Sequence, residues 1–146
     1  MLKEKLMQDF KDSMKEKDEL RKNTVMMIRA AVLQVEKDNQ IELDDNGITE
    51  IIAKELKKRK DSLVEIEKTG RTDMIEQINS EMAIIKTYLP EELSVEELTS
   101  IIEETIKEVG ATTVKDMGKV MQAVKAKTVG RADGRAINEI VKKLLA

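Results

Sequence analysis

Apolar residues recur along this chain at intervals of three and four, and glycine or proline marks where the recurrence stops. The pattern therefore predicts helices throughout and strands nowhere. Leu2, Leu6, Phe10 and Met14 form the stripe of a first helix over about residues 2–16. Asp18 caps a second over 19–39, with Leu20, Val25, Ile28, Val32 and Val35 inward. The run Asp44-Asp45-Asn46-Gly47 is a turn rich in N-cap residues, and it opens a third helix over 47–68 that stops at Thr69-Gly70. A fourth, over 72–88, opens on an Asp73/Glu76 capping box, buries Met74, Ile75, Ile78, Met82 and Ile85, and closes at Tyr88-Leu89-Pro90.

Pro90 is the only proline, and the residue before a proline avoids the helical region, so a domain boundary is expected there. Ser94-Val95-Glu96-Glu97 starts a fifth helix that ends at Gly110. A sixth begins near Thr112 or Thr113, with Val114, Met117, Val120, Met121 and Val124 as its stripe. Gly118 sits inside that stripe, which suggests close helix packing. Asp133 caps a seventh, whose inward residues are Ala136, Ile137, Ile140, Val141, Leu144 and Leu145. The expected fold is all-α: a four-helix antiparallel N-terminal domain over 1–90 and a small three-helix bundle over 91–146.

Composition narrows the chemistry. The 146 residues include no His, Cys or Trp, with one Tyr and one Phe. Disulfides, zinc fingers, thiol nucleophiles and histidine-based triads are excluded. Charged residues make up 38% and hydrophobic residues 40%, which suits a folded, soluble helical protein. No apolar run approaches the roughly 18 residues of a membrane span, and the first residues lack a signal-peptide core. A cytoplasmic protein without a membrane partner is expected. The net charge of −3 is unevenly spread. Residues 90–114 carry −6, seven Glu against Lys107, while residues 115–146 carry +5, eight basic residues against Asp116, Asp133 and Glu139.

Carboxylates are abundant, but adjacent ones such as Glu96 and Glu97 point about 100° apart on a helix and do not form a shared acid/base site. No catalytic residue, metal site, cofactor or small-molecule substrate is expected. Glu81, beside the fourth helix's apolar stripe, reads better as one half of a bundle ion pair, with a partner such as Arg29, than as a metal ligand.

Two basic clusters remain. Lys57, Lys58, Arg59 and Lys60 resemble a nucleic-acid patch, yet Glu50, Glu55, Asp61 and Glu65 are spaced to neutralise them along an exposed face. Lys119, Lys125, Lys127, Arg131, Arg135 and Lys142 surround a glycine-flanked loop that feeds a helix N-terminus. Free N–H groups and the dipole at such an end favour phosphate. Against this, Asp133 as N-cap uses those groups and places a negative charge there. The spacing of a P-loop is absent, and the scarcity of aromatics leaves backbone and shape contacts as the route to RNA.

Met117-Gly118-Lys119-Val120-Met121, Gly130-Arg131-Ala132-Asp133-Gly134-Arg135 and Ile137-Asn138-Glu139-Ile140-Val141 resemble the ending of the YqeY-like family. Supporting segments are Lys57 to Ser62, Glu81 to Pro90, and Arg29-Ala30-Ala31, so the resemblance spans nearly the whole chain. It implies two helical domains like the tail of the B subunit of the glutamine-dependent amidotransferase that acts on mischarged tRNA. That tail contacts tRNA and holds no amide-transfer site, so carbon–nitrogen ligase activity would belong to the larger enzyme. The implied function is a non-catalytic accessory module binding tRNA or structured RNA. The alternatives are an adaptor docking on an amidotransferase or tRNA synthetase, an independent enzyme, and a helix-turn-helix DNA binder.

Overall fold

The computed structural model describes residues 1–146 and is helical throughout. Seven α-helices follow in order: α1 (Leu2–Lys15), α2 (Glu19–Asn39), α3 (Asp45–Glu67), α4 (Thr72–Lys86), α5 (Val95–Val109), α6 (Met117–Lys127) and α7 (Gly134–Leu145). A 3-10 turn, Val114–Asp116, precedes α6. The chain divides into two compact units, Met1–Pro90 and Glu91–Ala146. No helix is long and apolar enough to cross a membrane.

Local chemistry sets most helix ends. The side chains of Asp18, Asp44, Ser94 and Asp133 each accept from a backbone N–H of the first turn, at Arg21, Gly47, Glu97 and Ala136 respectively. Gly70 and Gly110 take φ of +68° and +69°, the left-handed region that a side chain disfavours. Two further left-handed positions are not glycine: Lys17 (φ 57°) and Gln40 (φ 53°), the latter capping α2.

In the first unit α1 packs on α2, α3 on α4, and α2 on both α3 and α4. The core consists of Leu6, Val25, Ile28, Val32, Ile48, Ile51, Ile52, Leu56, Ile85 and Tyr88. Every buried apolar residue of α3 lies in its first half, and Ile85 alone is buried in α4. The half of the α3–α4 hairpin nearest Gly70 is thus incompletely covered: Leu63, Ile66, Ile75 and Ile78 are half-buried, and Val64 and Met74 are exposed. Met74 therefore does not enter the core as its spacing suggests, because periodicity selects a face but not a neighbour to cover it. Met14 is likewise exposed, at the end of α1, and Ser13 is buried in its place.

Two further expectations are corrected. The Asp73/Glu76 box does not form, since α4 already starts at Thr72 behind Arg71, which makes no side-chain cap. Gly118 lies in the first turn of α6, not its middle, and a Cβ there would meet nothing within 4 Å. It marks no close helix packing. The preceding segment is held by a reciprocal capping box instead: the Thr113 side chain accepts from the Asp116 N–H, and the Asp116 carboxylate accepts from Thr112 N (3.0 Å) and Thr113 N (3.4 Å).

In the second unit α5, α6 and α7 pack pairwise around Leu98, Ile102, Val120, Val124, Ile137, Val141 and Leu145. The i, i+4 repeat of Ile137, Val141 and Leu145 turns one stripe of α7 inward and leaves Arg135, Glu139 and Lys142 on the outside.

Candidate functional site

The turn between α6 and α7 gathers most of the basic residues of the second unit. Thr128 stays in register with α6 by donating its hydroxyl to the Val124 carbonyl (2.8 Å), and its own carbonyl accepts from Arg131 N (2.9 Å). Gly130, at φ +73°, permits the reversal. The chain then enters α7 through Asp133, whose carboxylate accepts from Ala136 N at 2.9 Å.

The structure separates the six candidate cations by role. Lys127 is exposed but tied down: its ammonium donates to Glu108 Oε2 (2.6 Å) and to the buried Thr105 hydroxyl (3.1 Å), linking α6 to α5. It is committed to structure, which sequence spacing did not indicate. Arg131 is also engaged. Its Nε donates to the Glu91 carbonyl (3.1 Å) and its carbonyl accepts from Leu93 N (2.8 Å), so it fastens the segment before α5 to the α6–α7 turn. Lys119, Lys125, Arg135 and Lys142 are exposed.

Of these, Lys125 reaches the start of α7. Its Cε lies 3.8 Å from where a Cβ of Gly134 would stand, which brings its stem across the first residue of the helix, and Arg135 is the residue that follows. Lys142 lies two turns further along the same face of α7 as Arg135, with Glu139 between them. Lys119 sits about 120° around α6 from Lys125, on the other side of the exposed face. The six residues thus resolve into a pair at the N-terminus of α7, two outlying cations and two structural ones.

Electrostatics give that pair meaning. A helix N-terminus carries roughly half a positive charge, so a cation there is unfavourable by about 0.3–1 kcal/mol. The first turn of α7 contains no acid, and Arg135 occupies it with Lys125 alongside. Asp133 offsets part of this as the cap. By contrast Lys142 and Lys143, in the last turn, sit where the dipole favours them.

The other cluster does not form a surface of four bases. Lys57 and Lys58 are exposed, and Lys60 is half-buried with a partner of its own. Arg59 points into the first unit, where its Nη1 donates to the Glu55 carboxylate (2.8 Å) and to the Glu55 carbonyl (3.1 Å). Its Nε faces Glu81 Oε2 at 3.5 Å. Glu81 is indeed one half of an ion pair, but its partner is Arg59; Arg29 instead lies over the Phe10 ring at 5.5 Å from the centroid. Lys58 donates to Glu55 as well (3.2 Å), so this carboxylate serves two cations. The i, i+4 spacing of Glu55 and Arg59 was visible in sequence; their burial was not. No three acidic side chains come together in an arrangement that could hold a metal ion.

Comparison with curated proteins finds no significant match. Over residues 3–145, nearly its whole length, the sequence matches the family model described as Yqey-like protein, and the chain belongs to the YqeY-like family.

Proposed function

We propose that this protein is a non-catalytic accessory module whose C-terminal three-helix unit binds tRNA or another structured RNA through backbone and shape. One observation carries the reading: Lys125 and Arg135 both stand at the already positive end of α7, where cations cost stability and where a phosphate would relieve them. Lys119 and Lys142 extend the positive surface. The resemblance to the tRNA-contacting tail of the amidotransferase B subunit supports the same partner, and a chain with a single Tyr and a single Phe is poorly equipped to stack unpaired bases. Cytoplasmic residence follows from that partner.

The test is fluorescence anisotropy with labelled bulk tRNA at about 50 mM salt, where phosphate contacts are strongest. Wild type should bind, and Lys125→Glu/Arg135→Glu should bind at least about a hundredfold more weakly with unchanged helicity. Equal binding by both proteins would reject this surface. A second reading, an adaptor docking on an amidotransferase or tRNA synthetase, is favoured by an open groove of about 490 Å³ in the first unit, beside Met27, Ala30 and Ile78. Absence of tRNA binding by wild type would leave that reading in its place.

A further inference from the structure

With no Cys, His or Trp in the chain and Tyr88 buried, methionine is its readily oxidised side chain. None of the nine methionines enters the buried core, and six are exposed. Met26 and Met27 are adjacent on α2 and each 46% exposed. Their surroundings differ. Met27 and Arg59 both line the open groove of the first unit, and Arg59 Nη2 donates to Met27 Sδ at 3.5 Å. Met26 is not among the residues of that groove and receives no such bond.

The donor is poorly matched to its acceptor. The Arg59 side chain is only 9% exposed, and its Nη1 is satisfied by Glu55. Its Nε has no hydrogen bond, with Glu81 standing off at 3.5 Å. Its Nη2 is left with a thioether, a weak acceptor. A buried guanidinium so placed lacks a strong acceptor on its Met27 side. Oxidation of the sulfur supplies one, because an S–O oxygen would stand on the atom that Nη2 already faces. The unbranched methionine side chain can shift to make room for it.

We propose that Met27 is a site of reversible sulfoxidation by hydroperoxides, the added oxygen being received by the Arg59 guanidinium. The Sδ lone pair attacks the hydroxyl oxygen of hydrogen peroxide or an alkyl hydroperoxide. The S–O bond forms as the O–O bond breaks, and the sulfur loses two electrons. The leaving hydroxide or alkoxide takes the hydroxyl proton and departs as water or alcohol. Negative charge gathers on the peroxide oxygens during this step, and a donor already fixed beside the sulfur stabilises it on the side that Arg59 occupies. Oxygen is therefore delivered to one face of the sulfur, which gives one sulfoxide epimer. The product places a polar group in the apolar part of the groove. A sulfoxide reductase that oxidises a dithiol to a disulfide returns the thioether and releases the oxygen as water. The site belongs to the first unit and is independent of the RNA reading, so either can fail alone.

The test oxidises the folded full chain with limiting hydrogen peroxide, digests it, and presents the peptides to the two reductases that each accept one sulfoxide epimer. Fragmentation in the mass spectrometer reads Met26 and Met27 separately. The Met27 sulfoxide should carry about a tenfold excess of one epimer, so that one reductase returns nearly all of it and the other almost none. Met26, equally exposed, should yield the two epimers in comparable amounts. Glu55→Leu/Arg59→Leu/Glu81→Leu removes the donor without stranding its carboxylates and should bring Met27 to the same even mixture. An even mixture at Met27 in the wild type, an equal excess at Met26, a Met27 that stays reduced while Met26 reacts, or an excess that survives in the triple variant would each overturn the proposal. The comparison of Met27 with Met26 in the wild type decides the matter even where the triple variant does not fold.

Discussion

The hydroxyl of Tyr88 donates to the carboxylate of Asp9 at 2.5 Å, joining residues 79 apart in sequence. Asp9 also faces Arg21 at 3.4 Å, so one carboxylate ties α1, α2 and the turn after α4 together. Burial first, and the hydrogen bond to Asp9 second, hold the phenol well above its ordinary value of 10. Tyr88→Phe should cost about 1–3 kcal/mol at neutral pH, read by urea denaturation. Because the folded state favours the protonated phenol, its contribution is complete below pH 10 and declines as pH rises past that value toward the folded-state pKa. The gap between wild type and Tyr88→Phe should therefore narrow above pH 10, and a gap that stays constant to pH 11 would refute the assignment.

The Glu55–Arg59–Glu81 cluster is expected to respond asymmetrically. Removing the cation alone, in Arg59→Ala, strands two sunken carboxylates and should destabilise by about 3–5 kcal/mol. Replacing all three, in Glu55→Leu/Arg59→Met/Glu81→Leu, should recover most of that loss, since well-packed apolar substitutes match such clusters. Chemical denaturation of the two proteins side by side decides it; a triple variant as weak as the single one would contradict the account.

Lys125 and Lys127 are two residues apart and should behave oppositely. Lys125→Ala removes a free cation and should weaken tRNA binding about tenfold at 50 mM salt. Lys127→Met should leave binding within about threefold. Its cost lies in stability, about 0.2–1 kcal/mol through the partly exposed Glu108 pair. The reverse ranking in anisotropy would show that Lys127 leaves Glu108 to meet RNA.

Backbone conformation predicts a pair of opposite glycine exchanges. Gly118→Ala places a methyl in open space on a helical backbone and should stabilise by about 0.5–1 kcal/mol. Gln40→Gly relieves a left-handed side-chain residue at the end of α2 and should stabilise by a comparable amount, about 1 kcal/mol. Thermal melts read both. A loss at Gly118 would restore the tight packing its position in the sequence pattern suggests.

These cases show what the sequence makes legible. Caps at Asp18, Asp44, Ser94 and Asp133, and the left-handed Gly70 and Gly110, are local chemistry and can be read within four residues. The helical class follows from periodicity in the same way. Gln40 carries no such signal, because its conformation is imposed by the chain on both sides. Met74 and Arg59 exchange the environments their types suggest, the first exposed and the second buried, since neither outcome follows without knowing where α2 covers the α3–α4 hairpin. Lys127 finds Glu108 nineteen positions away, beyond any helical repeat. The basic C-terminal block was evident as a sum of charges. Which of its members face outward was not, because distant acids and carbonyls decide that.

Salt dependence of tRNA binding tests the central claim most directly. Four exposed cations, Lys119, Lys125, Arg135 and Lys142, touching phosphates of a duplex stem give a slope of log affinity against log salt near −3.6 by about 0.9 per contact, or roughly a hundredfold loss between 50 and 200 mM. A measured slope close to that value is the predicted result. Binding that is absent at 50 mM, or that persists unchanged to 200 mM, would contradict the account.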